Sequence, residues 1–196
     1  MKLTVRFHEH TIRSLDRIVA EFGVPGTVIE LGCFEGDTTF NLANLVLQRR
    51  PNYRHYAIDP YGASADLPPD DIINAHAIFL ANLAEFETLH PGVVEFINKE
   101  SWQGMMDLYH RGVRADLVYA DGDHRAAGVL EDMVLGFRML KPGGVMLCDD
   151  ATTWRAAGSI TNSPRMAVDT FLHCYWDHIH IIELPSSYQV AFRKKI

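Results

Sequence analysis

The clearest chemistry in the chain lies in two short acidic stretches, Asp121-Gly122-Asp123-His124 and Asp149-Asp150. Each closes a compact apolar run, Ala115–Asp121 and Gly144–Asp149, that reads as a buried strand. Neighbouring strands of a parallel sheet end at one edge, so the carboxylates of Asp121, Asp149 and Asp150 are expected to converge. Three ionised carboxylates in one place repel unless a cation joins them. Oxygen donors with positions left for water suit Mg²⁺, and Mn²⁺ fits the same hard set. Asp123, just ahead of a helix, reads as a cap instead. The alternative for the whole group is that these acids are only caps and turn residues at strand ends.

A second constellation lies upstream, in Glu30-Leu31-Gly32-Cys33-Phe34-Glu35-Gly36-Asp37-Thr38. Its glycines let the backbone turn sharply between a strand and a helix. The three-glycine dinucleotide fingerprint is absent, because position 34 is Phe. The phosphate-loop lysine is absent too. Glu30, Glu35 and Asp37 would repel a pyrophosphate, so the turn suits a cationic ligand. Asp59 ends the next strand, where open α/β sheets place the acid that grips ribose hydroxyls. Its alternative role is to cap a turn.

These residues need strands and helices in alternation to bring them together, and the apolar pattern supplies them. Thr27–Gly32, His55–Asp59, Val93–Asn98, Ala115–Asp121 and Gly144–Asp149 read as five strands. Helices are expected at Thr11–Phe22, Asp37–Arg50, within Pro69–Glu87, at Ser101–His110, His124–Leu140 and Arg165–Asp177. Lys141-Pro142-Gly143-Gly144 is a strong breaker after the fifth of these. His178–Leu184 and Tyr188–Arg193 read as a closing strand pair, and their short link suits antiparallel pairing. The polar, glycine-containing stretch Ala151–Pro164, with Trp154 and Arg155, is a candidate lid.

The glycine turn resembles motif I of class I S-adenosylmethionine-dependent methyltransferases, (E/D)-x-G-x-x-x-G. The resemblance implies that Glu30 faces the methionine amino group, and that Gly32 and Gly36 let the cofactor lie against the backbone. It also implies that Asp59 holds the ribose, with Tyr61 as a wall, and that Ser101 meets the adenine. Trp102 beside it is either a stacking ring or a core residue. Asp121, Asp149 and Asp150 match the metal triad of catechol-type O-methyltransferases. The run Asp121–His124, Lys141–Gly144 and Cys148–Asp150 looks still more like bacterial sugar and macrolide O-methyltransferases. In those enzymes a His three residues after the first metal-binding Asp is the general base, which implies that role for His124; the other reading of His124 is a spectator. Asp121 thereby belongs to both the cofactor set and the metal set. The resemblance covers about Thr27 to Ala151. It implies a Rossmann-like α/β fold with a mostly parallel seven-stranded sheet, an antiparallel terminal strand and helices on both faces. Residues 1–196 are expected to form one methyltransferase domain.

Composition bounds the rest. The chain has 196 residues, 47% hydrophobic and 22% charged, which excludes a disordered or collagen-like protein. With 18 basic against 25 acidic side chains the net charge is −7, which speaks against nucleic acid or anionic membrane as a partner. No apolar run is long enough to span a bilayer, and the first residues lack the pattern of a signal peptide. Cys33, Cys148 and Cys174 follow no metal or redox spacing, as expected of reduced thiols in the cytoplasm. His178, His180 and Cys174 lack a clear fourth zinc ligand and read as surface residues. The segment before the first strand is short beside catechol-type enzymes. Either a second copy in a homo-oligomer completes the acceptor pocket, or the acceptor binds in an open cleft. The resulting expectation is methyl transfer from S-adenosylmethionine to a hydroxyl of a small molecule, assisted by a divalent metal. A metal-independent methyltransferase with an N- or O-acceptor, and a non-catalytic S-adenosylmethionine-binding protein, are the alternatives.

Overall fold

A computed structural model describes residues 1, 3–4, 9–62, 68–151, 161 and 163–196. The element order is α1 (Glu9–Phe22), β1 (Thr27–Leu31), α2 (Asp37–Leu47), β2 (Arg54–Ile58), α3 (Pro69–Leu89), β3 (Val94–Ile97) and α4 (Ser101–His110). It continues with β4 (Ala115–Ala120), α5 (Ala126–Met139), β5 (Leu140–Cys148), α6 (Pro164–Tyr175), β6 (Ile179–Ile182) and β7 (Val190–Lys194). The seven strands form one sheet in the order β3-β2-β1-β4-β5-β7-β6. Only β7 runs against its neighbours, pairing antiparallel with both β5 and β6. The expected Rossmann-like α/β architecture is therefore the observed one. The candidate lid residues Trp154 and Arg155 lie outside the described residues.

Each central strand is buried on both faces, so its alternating side chains feed two separate cores. On one face α1, α2 and α3 pack through Leu15, Phe40, Val46, Phe79 and Phe86 onto Val28, Leu117, Tyr119 and Leu147. On the other, α4, α5 and α6 pack through Met105, Met133 and Phe171 onto Ile29, Val118, Met146 and Phe192. No helix among the described residues is long and apolar enough to cross a membrane.

The main departure from the sequence reading is at Lys141–Gly144. The breaker was expected to separate helix from strand, yet β5 begins at Leu140, directly after α5. Ala115 pairs with Leu140 and Leu117 with Val145, so the four intervening residues bulge out of a ladder that then resumes. Two features hold the bulge. Lys141 Nζ donates to Asp116 Oδ1 at 2.9 Å, and the Gly144 backbone comes so close that a Cβ there would meet Ala115 O at 3.1 Å. Helix α5 also starts two residues later than expected. Asp123 Oδ1 accepts the Arg125 N–H at 2.8 Å while its carboxylate pairs with the Arg125 guanidinium, which holds the chain in a turn before the helix opens.

Candidate active site

The strand order places the ends of β1 and β4 side by side at the centre of the sheet, flanked by the ends of β2 and β5. Apart from Glu30, which lies in β1, the site residues expected from sequence follow strands that end at this edge. Strain gathers there as well. The non-glycine residues with positive φ among those described are Phe34 (46°), Tyr61 (46°) and Asp150 (49°), in the turns after β1, β2 and β5.

The glycine turn is shaped first by its protein neighbours. Gly32 has φ 84°, and a Cβ on it would lie 2.2 Å from Asp121 O and 2.7 Å from Gly122 Cα. It is therefore the close approach of the turns after β1 and β4 that demands glycine. Gly36, at φ 87°, sits at the entry to α2, where a Cβ would lie 2.2 Å from the Phe40 ring and 3.0 Å from the Phe79 ring. Glu30 is buried on the α2 side, where Oε2 accepts the Thr39 hydroxyl at 2.6 Å and meets His55 Nε2 at 2.7 Å. His55 Nδ1 in turn contacts Tyr53 Oη at 2.7 Å. Asp59 reaches back to the glycine turn: Oδ2 accepts the N–H of Cys33 at 2.8 Å and of Phe34 at 3.2 Å, and Oδ1 accepts that of Tyr61 at 2.8 Å. Tyr61 stacks on His76 and donates its hydroxyl to Phe34 O, locking the turns after β1 and β2 together. Ser101 opens α4 at the same edge and hydrogen-bonds the buried Asp132 carboxyl of α5.

The acids after β4 and β5 divide into two groups. Asp121, His124 and Asp150 each offer one ligand atom, all within 4.8 Å of one another, and are the one such group of described residues. His124 Nε2 lies 3.3 Å from Asp150 Oδ2. The two half-buried carboxylates offer oxygen donors that fit a divalent cation, and the imidazole nitrogen lies close enough to join them or to act beside them. Asp149, expected among the ligands, is directed elsewhere. Its Oδ2 accepts from Tyr119 Oη at 2.6 Å, Gln189 Nε2 at 2.8 Å and Thr11 Oγ1 at 3.1 Å. Its Oδ1 accepts the Asp150 N–H at 2.9 Å. The alternation of β5 explains the split. Asp149 continues the parity of Val145 and Leu147, which face α1, whereas the left-handed Asp150 turns its carboxylate back toward His124.

Tyr119, Thr11 and Gln189 did not emerge from the sequence reading. Tyr119 was legible in principle, since strand alternation puts it on the face of Asp121; its hydroxyl lies 2.8 Å from Asp121 Oδ2 as well as on Asp149. Thr11 and Gln189 come from α1 and the approach to β7, and no local pattern marks them. The Tyr119 hydroxyl thus lies between the two carboxylates and links them.

The electrostatics of the edge follow. Burial, then Asp149 and Asp150, push the Asp121 carboxyl well above the usual range. Burial pushes up Asp59, with Glu30 adding to it against the three backbone N–H donors. Burial and the charges of Glu30, Asp59 and Asp121 raise the Cys33 thiol. The edge thus carries a concentrated negative field that a cation relieves, as a sulfonium cofactor or a metal ion would. Both groups fit the residues present.

Comparison with known proteins agrees with this architecture. A family model described as a methyltransferase domain matches residues 29–151. That span holds the glycine turn, Asp59, Ser101 and the acids after β4 and β5, and the chain belongs to this family. It is a class I S-adenosylmethionine-dependent methyltransferase. No curated protein sequence is similar enough to match. Among solved structures, the O-methyltransferase from Bacillus cereus in complex with SAH superposes with a TM-score of 0.71 at 14% identity, covering 98% of this chain and 84% of that one. A candidate rRNA methylase from Clostridium thermocellum gives 0.65 at 20% identity, covering 98% and 100%. The TDP-rhamnose 3′-O-methyltransferase CalS11 of calicheamicin biosynthesis gives 0.64 at 17%, covering 96% and 81%. At these identities the likeness is one of fold.

Proposed function

We propose that this methyltransferase acts on a hydroxyl group of a small molecule and that a divalent cation assists it. The observation that carries the reading is the Asp121, His124 and Asp150 group, whose ligand atoms lie within 4.8 Å of one another on the edge that holds the glycine turn. The net charge of −7 supports a small acceptor over a nucleic acid. The O-methyltransferases among the structural neighbours support oxygen as the acceptor atom.

In this reading Asp121 and Asp150 supply the oxygen ligands, and Asp149 acts behind them by holding Tyr119 against Asp121. A bound cation would acidify the acceptor hydroxyl, and S-adenosylmethionine would supply the methyl group from its sulfonium. His124 takes the hydroxyl proton at an imidazole nitrogen, and its contact with Asp150 steadies the imidazolium that forms. Glu30, Asp59 and Ser101 keep the roles of holding the amino group, ribose and adenine of the cofactor. The first two must then exchange hydrogen bonds they now make within the chain.

Two measurements test the reading. Mn²⁺ titration followed by electron paramagnetic resonance should show one site that Asp150→Asn weakens at least tenfold, while His124→Ala leaves it within a few-fold. Turnover to S-adenosylhomocysteine with a panel of sugar and catechol-like hydroxyls should stop in excess chelator and return with metal. Full turnover in chelator would overturn the metal-assisted reading and leave His124 and Asp150 as a metal-free base pair. Loss of Mn²⁺ binding in His124→Ala would make His124 a ligand instead of the base.

A further inference from the structure

The opposite edge of the sheet carries a feature that the methyl-transfer site does not use. Helices α4 and α5 run back from the site edge, and their last turns, with the residues before β4 and at the end of β7, enclose a groove of about 550 Å³. That volume lies within the usual range for small-molecule sites, about 300–1,000 Å³. The six-residue strand β4 separates Arg114 in the groove from Asp121 in the active site, roughly 20 Å at the rise of a strand. The two places are distinct.

The groove has an apolar and aromatic floor, with Met106, Tyr109 and Tyr175, and three cations in its wall, Arg114, Arg138 and Lys194. Among the described residues no Asp or Glu lines it. Among the described residues no carboxylate forms a salt bridge with any of the three cations. This is unusual company in a chain of net charge −7, where acids outnumber bases 25 to 18. The cations are also close enough to feel one another. Burial first, and then the charges of Arg114 and Arg138, pull the Lys194 ammonium below its ordinary value.

Two of the three are fixed in place. The Arg114 guanidinium lies 4.4 Å over the Tyr109 ring and donates to Val113 O at 2.7 Å. Lys194 Nζ donates to Phe137 O at 2.9 Å and Leu140 O at 3.0 Å, and sits 4.6 Å over the Phe137 ring. Holding like charges together without a counterion raises the free energy of the empty groove, and an anion that enters releases it. An apolar floor adds affinity only for a ligand with an apolar body.

We propose that this groove is a second binding site, for a small organic anion: an aromatic or aliphatic body that lies on Met106, Tyr109 and Tyr175 and carries one phosphate or carboxylate toward Arg114, Arg138 and Lys194. It lies apart from the methyl-transfer edge, so its ligand is neither the methyl donor nor the acceptor held there.

The test uses the full-length protein and 8-anilinonaphthalene-1-sulfonate, an aromatic anion whose fluorescence rises on binding. A saturable one-to-one titration is expected. N-phenyl-1-naphthylamine, the same body without the sulfonate, should bind at least tenfold more weakly. Arg138 is exposed, so Arg138→Glu should fold normally and weaken the anionic probe at least tenfold. Arg17→Glu, the same charge change on α1, should leave its affinity within twofold. Benzoate or phenyl phosphate should displace the probe, and the stronger competitor identifies the head group. The proposal is overturned if no saturable binding occurs, or if the two charge variants behave alike. It is overturned equally if the neutral analogue binds as well, if neither competitor displaces the probe, or if S-adenosylhomocysteine displaces it, which would place it at the other edge.

Discussion

Replacing Asp132 with Asn should make the protein more stable, and increasingly so as the pH rises. Asp132 lies on α5, buried in the layer between that helix and the sheet, with Ser101 at the start of α4 as its hydrogen-bond partner. Burial, with Asp123, Glu131 and Glu100 adding negative charge around it, raises its pKa from 3.8 to about 8. In the folded protein the group is a neutral acid at pH 7, whereas in the unfolded chain it is ionised. The folded state therefore holds one proton more across the interval from 3.8 to about 8. Stability falls wherever the folded state binds more protons, so this group costs stability as pH rises through that interval. The slope is about 1.4 kcal/mol per pH unit, and the full interval sets a ceiling of about 6 kcal/mol. Water entry and relaxation around the ionised carboxylate will reduce the observed value, and a gain of about 2 kcal/mol or more at pH 8 is expected. The amide matches the acid in shape and still bonds Ser101. Urea unfolding of both proteins from pH 5 to pH 8 measures the difference, which should widen steadily with pH and level off near pH 8. A difference that is constant over that range, or a destabilised variant at pH 8, would refute the assignment of Asp132 as a neutral buried acid.

Two further outcomes follow from the site edge. Gly32→Ala places a Cβ 2.2 Å from Asp121 O at a residue with φ 84°, and should cost about 3 kcal/mol or more by thermal unfolding and abolish S-adenosylhomocysteine binding by calorimetry. Tyr119→Phe leaves Asp121 and Asp149 without the hydroxyl that lies between them. It should lower stability by about 1–3 kcal/mol in urea and weaken Mn²⁺ binding, while cofactor affinity stays within a few-fold.

Local chemistry was readable where one residue's position depends on its own strand. The apolar runs around Thr27–Leu31 and Ala115–Ala120 mark strands because they are short and continuous, as strands buried on both faces are. Asp59, Asp121 and Asp150 follow as strand-end acids. The reading was weaker wherever position depends on a contact between distant segments. Lys141–Gly144 carries every mark of a break, yet pairing of Leu140 with Ala115 draws the breaker into β5 as a bulge. The separation of Asp149 from Asp150 is hidden for the same reason. Adjacent acids look equivalent in sequence, and only the donors of Thr11 and Gln189, brought from both ends of the chain, claim the first.

That claim on Asp149 gives the edge its order. A free cluster of Asp121, Asp149 and Asp150 would hold three like charges with no fixed geometry, and a cation entering it would have to arrange all three. Here one of the three is already held by four hydrogen bonds, three of them from side chains on α1, β4 and the approach to β7. Thr11 and Gln189 are themselves joined at 3.0 Å, and Ser14 meets Gln189 from the same helix. The N-terminal helix, the centre of the sheet and the antiparallel terminal strand are thus tied together through one carboxylate. Asp121 receives its orientation from that knot through the Tyr119 hydroxyl, which leaves Asp121 and Asp150 to face His124. The negative field stays concentrated, because among the described residues Asp149 is held by hydrogen bonds and no cationic side chain pairs with it, but its geometry is set before any ligand arrives. Preorganisation of this kind spares a bound cation the work of ordering its ligands. It also locates sensitive points of the site in buried residues behind Asp121: Tyr119, Thr11 and Gln189.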